Sequence, residues 1–174
     1  MRGQVLVFTG EGKGKTLAAF GLVLRLAGHG RKVLVVQFVK RPGESGEVRA
    51  LEPLSAQVTV KPLGRGRLDL KARPRRDEDL AQVREAWAET LRLLANGRYD
   101  AVVLDEIVFV VAEGFLPVAD LLRFLDGKPP ELTVVMTGRG KLDELIDRAD
   151  CVTEMMKRKH PFDTGQEALP GIEY

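Results

Sequence analysis

The sequence predicts an α/β protein in which a mostly parallel sheet carries helices on both faces. Short β-branched apolar runs, such as residues 4–8 and 33–39, are bounded by glycine and charged residues, which is typical of strands buried on both faces. Between these runs the apolar residues recur every three or four positions, which indicates amphipathic helices. Because strand and helix alternate, we expect parallel strands joined by right-handed crossovers, with ligands bound beyond the carboxyl ends of the strands.

Each predicted element follows from a local pattern. Strands are expected at residues 4–8, 33–39, 57–60, 101–104, 132–136 and 150–153. The first strand leads into a helix that should end near Gly28, and an apolar stripe at helical spacing predicts a second helix over 78–96. Two further helices are expected at 117–126, with Pro117 at the first helical position, and at 141–148.

Length and composition indicate one soluble domain that spans residues 1–174. The 27 Lys and Arg residues against 25 Asp and Glu residues leave a net charge of +2, which is too small to predict wholesale attraction to nucleic acid or to a membrane. No apolar run approaches the ~18 residues of a membrane span, so a cytoplasmic protein is expected. Cys151 is the single cysteine and cannot form an internal disulfide, and we expect it to be a small core residue.

Residues 61–76 (KPLGRGRLDLKARPRR) lack a regular pattern and hold seven basic residues, one acidic residue and no aromatic residue. We interpret this segment as a long, mobile basic loop within the single domain, because loops of such length are usually functional or disordered. Its arginines could contact a nucleic-acid backbone, or the loop could be a solvated segment that becomes ordered when substrate binds. The absence of aromatic stacking residues favours the second interpretation.

A glycine-rich turn, TGEGKGKT at residues 9–16, connects the first strand to the first helix. Its glycines permit backbone conformations that turn successive N–H groups toward an anion, and the start of the helix adds a positive dipole end. Lys15 would neutralise phosphate oxygens, and Thr16 would offer its hydroxyl to Mg²⁺. Thr9 stands where the usual phosphate-loop pattern has its first glycine, and Lys15 stands where a dinucleotide-binding turn needs its third. A phosphate loop is therefore favoured over a dinucleotide fingerprint or a plain glycine-rich turn.

Two carboxylates follow the predicted strand at 101–104. Asp105 and Glu106 would lie near the phosphate loop, where nucleotide-binding proteins hold Mg²⁺ or its water shell, so both are candidate metal ligands. The alternative is that Asp105 caps a following helix.

Other basic and polar residues near the same edge give less specific signals. Arg139 follows the strand at 132–136 and could bind a phosphate, a ribose or a carboxylate, or be a solvated turn residue. Gln37 and Lys40 close the second strand and could also face the site, but a plain loop role is favoured for each. Arg25, near the end of the first helix, would neutralise the negative end of the helix dipole.

Taken together, these features predict the P-loop NTPase (RecA-like) architecture, and the sequence resembles the P-loop ATP:corrinoid adenosyltransferases over nearly its whole length. The segments that carry the resemblance are TGEGKGKT with the helix AAFGLVLRLAGHG, VVQFVK at 35–40, VVLDE at 102–106, VVMTGR at 134–139, ADCVTEM at 149–155 and KHPFDTGQEALPGIEY at 159–174. The threonine at position 9 is shared with that family. Where the family typically has aromatic residues after a Gly-x-Gly, this chain has GRGRLDL at 64–70.

The resemblance implies a homodimer that holds MgATP in the loop from Gly10 to Thr16. The nucleotide-binding residues that it implies are Gly10, Glu11, Gly12, Lys13, Gly14, Lys15, Thr16, Arg25 and Arg139. Lys15 would contact phosphate, Thr16 and Glu106 would meet the metal, and these are the catalytic candidates, with Asp105 as a further metal candidate.

The reaction that the resemblance implies moves the 5′-deoxyadenosyl group of MgATP to the Co(I) atom of cobalamin or a related corrinoid and releases triphosphate. ATP, Mg²⁺ and a corrinoid are therefore the implied ligands, and a reductase that supplies Co(I) is a candidate partner. The residues alone also leave open an ATPase that acts on nucleic acid, a nucleotide-binding regulator and a small-molecule kinase.

Overall fold

The computed structural model describes residues 2–43, 45–66, 68–70 and 75–173, with Arg75 described by its backbone alone. Its strands are β1 (Val5–Thr9), β2 (Val33–Gln37), β3 (Val58–Pro62), β4 (Ala101–Asp105), β5 (Thr133–Thr137) and β6 (Cys151–Glu154). They form a six-stranded sheet in the order β3-β2-β4-β5-β1-β6, and neighbouring strands run parallel throughout. The predicted parallel sheet is confirmed, and each strand lies within two residues of its predicted bounds.

Helices connect the strands and cover the sheet. They are α1 (Lys15–Gly28), α2 (Gly46–Ala50), α3 (Arg75–Asn96), α4 (Ile107–Ala112), α5 (Val118–Gly127) and α6 (Asp143–Ile146), with short 3-10 turns at Glu52–Leu54 and Pro161–Thr164. Pro117 is the residue before α5 and not its first helical residue, because its ψ of 134° keeps it extended. None of the helices in the described part of the chain combines the length and apolarity that a membrane crossing needs.

Alternate residues of the buried strands face two separate apolar layers. On one face, α1 packs Phe20 and Val23 in a cluster with Val33, Val35 and Val103. Helices α3 to α6 cover the other face. The buried residues of this second layer include Leu34, Val36, Val83, Trp87, Val102, Leu104, Val110, Leu121, Leu125, Val134, Met136 and Leu145. Helices therefore lie on both faces, as predicted, and β2 and β4 are buried along their whole length.

The basic segment at 61–76 is shorter as a loop than the sequence predicted. Lys61 and Pro62 complete β3, and α3 already begins at Arg75. The Arg76 guanidinium donates to the carbonyl of Glu113 at 2.9 Å and lies 4.5 Å from the centroid of the Phe115 ring. Arg76 therefore anchors the start of a helix. Arg67 and residues 71–74 lie outside the described residues, and the mobility of the loop stays a prediction.

The edge strand β6 differs from the buried strand that its sequence suggested. All of its residues are exposed, and Cys151 is an exposed free thiol, so the prediction of a core cysteine is wrong. The reason is position in the sheet, because β6 follows β1 at the end of the strand order.

The parallel topology gathers chemically useful residues at one edge. The carboxyl-terminal residues of five strands lie there: Thr9, Gln37, Asp105, Thr137 and Glu154. β5 lies between β1, which leads into the phosphate loop, and β4, which carries the acidic pair. This edge is where ligands of such sheets bind.

Candidate nucleotide site

A cavity of about 1000 Å³ opens at this edge of the sheet. The residues that line it and that the sequence singled out are Glu11, Gly12, Lys13, Gly14, Lys15, Thr16, Lys40, Glu106 and Arg139. Most of the predicted nucleotide residues are thus brought together around one space. Its volume lies at the upper end of the range that is usual for small-molecule sites.

The phosphate loop between β1 and α1 depends on glycine for its path. Gly10 has a φ of 94°, and a Cβ atom there would lie 2.5 Å from the carbonyl oxygen of Met155. The Gly12 N–H donates to the same carbonyl at 2.6 Å. The loop is therefore packed closely against the chain that follows β6, and helix α1 begins directly after it at Lys15.

Lys15 folds back into the loop. Its side chain is 7% exposed, and its Nζ atom donates to the carbonyl oxygens of Gly10 at 2.6 Å and Gly12 at 2.7 Å. Burial lowers the pKa of Lys15, and the nearby Arg139 guanidinium lowers it further. The ammonium group therefore sits within the loop that would surround a phosphate, with weak carbonyl partners that an anion can replace.

Asp105 holds Thr16 in place from beneath the cavity. Asp105 is 1% exposed, and its Oδ1 atom accepts from the hydroxyls of Thr16 at 2.9 Å and Thr137 at 2.8 Å. Gln37 donates through its Nε2 atom to Oδ2 at 3.3 Å. Because the Thr16 hydroxyl donates its hydrogen bond to Asp105, the lone pairs of the Thr16 oxygen remain available to a cation. Asp105 thus orients Thr16, and the alternative that it caps a helix is wrong, since Glu106 is the N-cap residue of α4.

Glu106 occupies a strained position at the cavity wall. Its φ of 66° lies in the left-handed region, and its N–H donates to the Thr137 hydroxyl at 2.9 Å. Burial raises the pKa of the Glu106 carboxyl, and the neighbouring Asp105 carboxylate raises it further, while Lys15 and Arg139 oppose the rise. A buried carboxyl of this kind gains from a bound cation.

Oxygen donors from Thr16 and Glu106 suit Mg²⁺, which is usually held by one or two carboxylates together with substrate phosphates. Across residues 2–43, 45–66, 68–70 and 75–173, His, Cys, Asp and Glu side chains do not assemble in groups of three or more that would hold a metal by themselves. Thr16 and Glu106 offer two oxygen ligands, which substrate phosphates would complement.

Arginines predicted at the site lie in different places. Arg139 lines the cavity and pairs with Glu11, with 3.1 Å between Nη1 and Oε2. Arg25 lies in the last turn of α1 and is not among the described residues that line the cavity. Its place agrees with the predicted role at the negative end of the helix dipole.

Two parts of the site differ from what the sequence favoured. Gln37 is the last residue of β2, buried and bonded to Asp105, so the expected loop role is wrong; Lys40, which lies beyond the strand, lines the cavity. The chain after β6 forms a wall of the cavity, and Glu173 pairs with Lys13 at 2.6 Å. The large apolar side chains Phe162, Leu169 and Ile172, set among polar and charged residues of the terminal segment, were the available signal.

The raised pKa of Glu106 predicts a pH-dependent gain in stability for Glu106→Gln. A raised pKa favours the folded state below the ordinary pKa of glutamate, and this contribution is lost as the pH rises through the raised value. Gln removes the buried charge, so the variant should melt a few degrees above the parent protein at pH 8 and near it at pH 4. Thermal melting in EDTA at the two pH values measures this, and an equal difference at both would contradict the assignment.

A glycine-rich loop that encloses a buried lysine, followed by a threonine bonded to a strand-end aspartate, defines a P-loop nucleotide-binding protein. Residues 1–174 match the family model described as ATP:corrinoid adenosyltransferase BtuR/CobO/CobP. The chain therefore belongs to this family and is a transferase, and the predicted family, enzyme class and fold class are confirmed.

Similar proteins agree with this assignment. The chain is 42% identical over 173 residues to the corrinoid adenosyltransferase of Escherichia coli, with 99% of this chain and 86% of the relative covered. It is 41% identical over 173 residues to corrinoid adenosyltransferase CobA of Salmonella typhimurium, with the same coverage of 99% and 86%. The crystal structure of the flagellar accessory protein FlaH from Methanocaldococcus jannaschii superposes with a TM-score of 0.59 at 16% identity, over 88% of this chain and 71% of that one, and shows a shared fold alone.

Proposed function

We propose that this chain binds MgATP on its phosphate loop and transfers the 5′-deoxyadenosyl group to the Co(I) atom of a corrinoid, releasing triphosphate. The observation that carries the proposal is the position of Lys15, which is buried among loop carbonyls and directly precedes Thr16, the residue that Asp105 holds. In a member of the ATP:corrinoid adenosyltransferase family, this arrangement suits a polyphosphate that departs as a leaving group.

The chemistry needs little acid or base from the protein. Co(I) of the corrinoid substrate supplies an electron pair to the 5′ carbon of the ribose, the bond from that carbon to the phosphate oxygen breaks, and its electron pair leaves on triphosphate. The protein must position the two substrates and stabilise the growing negative charge. The site accordingly offers cations and amides, with Lys13, Lys15 and Arg139 around the cavity.

Metal binding fits the same residues. Thr16 and Glu106 would hold Mg²⁺ beside the phosphates, while Asp105 keeps the Thr16 hydroxyl turned toward it. The bound metal would supply charge neutralisation to the leaving triphosphate. Burial of Glu106 keeps its carboxylate poorly solvated, and a cation would offset that cost.

The oligomeric state, the location, the reductase partner and the role of Arg25 belong to the same proposal. We expect the chain to act as a homodimer in the cytoplasm. A reductase would supply the corrinoid substrate in its Co(I) state. Arg25 is exposed on α1, outside the described lining of the cavity, and its nucleotide contact remains part of the proposal. Gel filtration with light scattering tests the oligomeric state.

Product identification tests the proposed reaction directly. The protein is mixed anaerobically with chemically reduced cobalamin and MgATP, and the absorbance spectrum is followed for a cobalt–carbon bond while the phosphate products are separated by ion exchange. We expect adenosylated corrinoid and intact triphosphate in equal amounts. Release of ADP with a phosphorylated acceptor would instead indicate a kinase, and ATP hydrolysis stimulated by single-stranded DNA would indicate a nucleic-acid ATPase.

A further inference from the structure

The segment from Met156 to Glu173 exposes an unusual amount of apolar surface. Its large exposed apolar side chains are Met156, Phe162, Leu169 and Ile172. Phe162 is 77% exposed and Ile172 is 58% exposed. Concentrated apolar surface of this kind usually marks a site of interaction, whereas single exposed apolar residues need no explanation.

Two of these side chains belong to the nucleotide cavity. Phe162 and Ile172 line it, as does Leu17 from the first turn of α1. The phosphate loop supplies the cationic part of the same cavity through Lys13 and Lys15. The cavity therefore has a charged floor for a polyphosphate and an apolar wall that a polyphosphate does not need.

One ion pair joins this apolar wall to the phosphate loop, and another lies within the wall. Glu173 binds Lys13 at 2.6 Å through Oε1 and accepts the N–H of Leu169 at 3.0 Å through Oε2. Lys157 binds Asp163 at 2.8 Å, next to Phe162. The wall is thus held at a defined place beside the site where the triphosphate would lie.

The other candidate for contact with the second substrate lies elsewhere. None of the described residues of 61–70, the part of the basic segment that ends and follows the edge strand β3, lines the cavity. The Gly64 backbone packs against Val39, and Gly66 lies beside the Arg41 side chain, so these two glycines contact the chain that follows β2.

We propose that Phe162 and Ile172 form the contact surface for the corrin ring, an assignment that rests on the proposed function. A corrin ring is broad and apolar on its faces and carries polar amide or acid groups at its rim. The same cavity is also lined by polar side chains that suit such a rim, namely Lys157, His160 and Asp163. The surface also adjoins the phosphate loop, as it must if cobalt is to reach the ribose of a nucleotide held there.

A double variant tests this surface against a matched control. Phe162→Ala with Ile172→Ala removes the two cavity-lining groups, and Met156→Ala with Leu169→Ala removes two exposed apolar groups of the same segment that are absent from the described lining. Binding of cob(II)alamin is measured by anaerobic equilibrium dialysis and binding of ATP by calorimetry. We expect the corrinoid Kd and the corrinoid KM of the first variant to rise about tenfold, because apolar area is lost from the contact, with ATP affinity unchanged. The control should match the parent protein.

Several results would overturn the assignment. Weaker ATP binding with unchanged corrinoid binding would show that the wall holds the purine, and a changed elution volume in gel filtration would show that it contacts a second copy of the chain. If the corrinoid Kd and KM were the same in both double variants, Phe162 and Ile172 would have no specific role in corrinoid binding. If the double variant melts early, Phe162→Leu and Ile172→Thr singly provide the same comparison. The proposed function itself fails separately, when the parent protein forms no adenosylated product.

Discussion

Replacement of Lys15 by alanine is expected to abolish adenosyl transfer. The Lys15 ammonium is buried within the phosphate loop, where water screens its charge poorly and where no reorganisation is needed as triphosphate leaves. Removing one donor that stabilises a developing negative charge typically lowers kcat by about 10²–10³-fold, and a charged donor should lie at the upper end of this range. Steady-state rates of cobalt–carbon bond formation measure the loss.

Lys141→Ala is a suitable control, because Lys141 is an exposed lysine that follows β5 and pairs with Asp143 on the surface. Its activity should equal that of the parent protein. Thermal melting of Lys15→Ala separates catalysis from folding, since the carbonyls of Gly10 and Gly12 lose a partner in this variant. Unchanged kcat and KM for ATP in Lys15→Ala would refute the role assigned to the loop.

The two carboxylates are expected to respond differently to conversion to amides. Glu106→Gln should raise the Mg²⁺ concentration needed for activity more than Asp105→Asn does, because Glu106 lines the cavity and Asp105 lies beneath Thr16. Asp105→Asn should instead lower the melting temperature, since a single amide oxygen replaces two acceptors that serve three donors. An unsatisfied buried group destabilises the folded state by about 1–3 kcal/mol. In a chain of this length, each kcal/mol lowers the melting temperature by roughly 2–4 °C.

Titration of activity with Mg²⁺ and melting curves in EDTA distinguish these effects. Thr137→Val gives a reference for Asp105→Asn, because it leaves the carboxylate in place but removes one hydroxyl that donates to Oδ1 and that also accepts the Glu106 N–H. If Asp105→Asn raised the Mg²⁺ requirement more than Glu106→Gln, the direct metal carboxylate would be Asp105.

The fold was predictable because strands buried on both faces leave a strong mark in sequence. β4, with Ala101 and Val102 at its start, is apolar at every position before Asp105, and each side chain meets a helix layer. The end of β2 was less clear. Phe38 remains fully buried beyond Gln37, so apolar character continues after the strand pairing ends.

The phosphate loop was predictable for another reason, because its chemistry depends on neighbours in sequence. Gly10, Lys15 and Thr16 act within one turn and the start of one helix. The partners of Asp105 are different. Gln37 is 68 positions away from it and Thr137 is 32 positions away, and the strand register that joins them follows from the whole sheet.

The terminal wall was the least predictable part of the site. Phe162, Leu169 and Ile172 are few and widely separated, and Pro161, Gly165, Pro170 and Gly171 interrupt any helix or strand that would contain them. Its place is set by a few specific contacts, such as Lys13 with Glu173 and Gly12 with Met155. Contacts of that kind have no periodic trace in a sequence.

The internal partners of the phosphate loop have a consequence for anion selection. The Gly12 amide already has the Met155 carbonyl, Lys13 has Glu173, and Lys15 has loop carbonyls. When a polyphosphate binds, these donors therefore exchange their internal partners for phosphate oxygens. A monovalent anion that reaches one donor exchanges one internal bond for one external bond and gains little, whereas a triphosphate replaces several together. The internal hydrogen bonds and the ion pair of the loop thus favour binding of long, multiply charged anions over small monovalent ones.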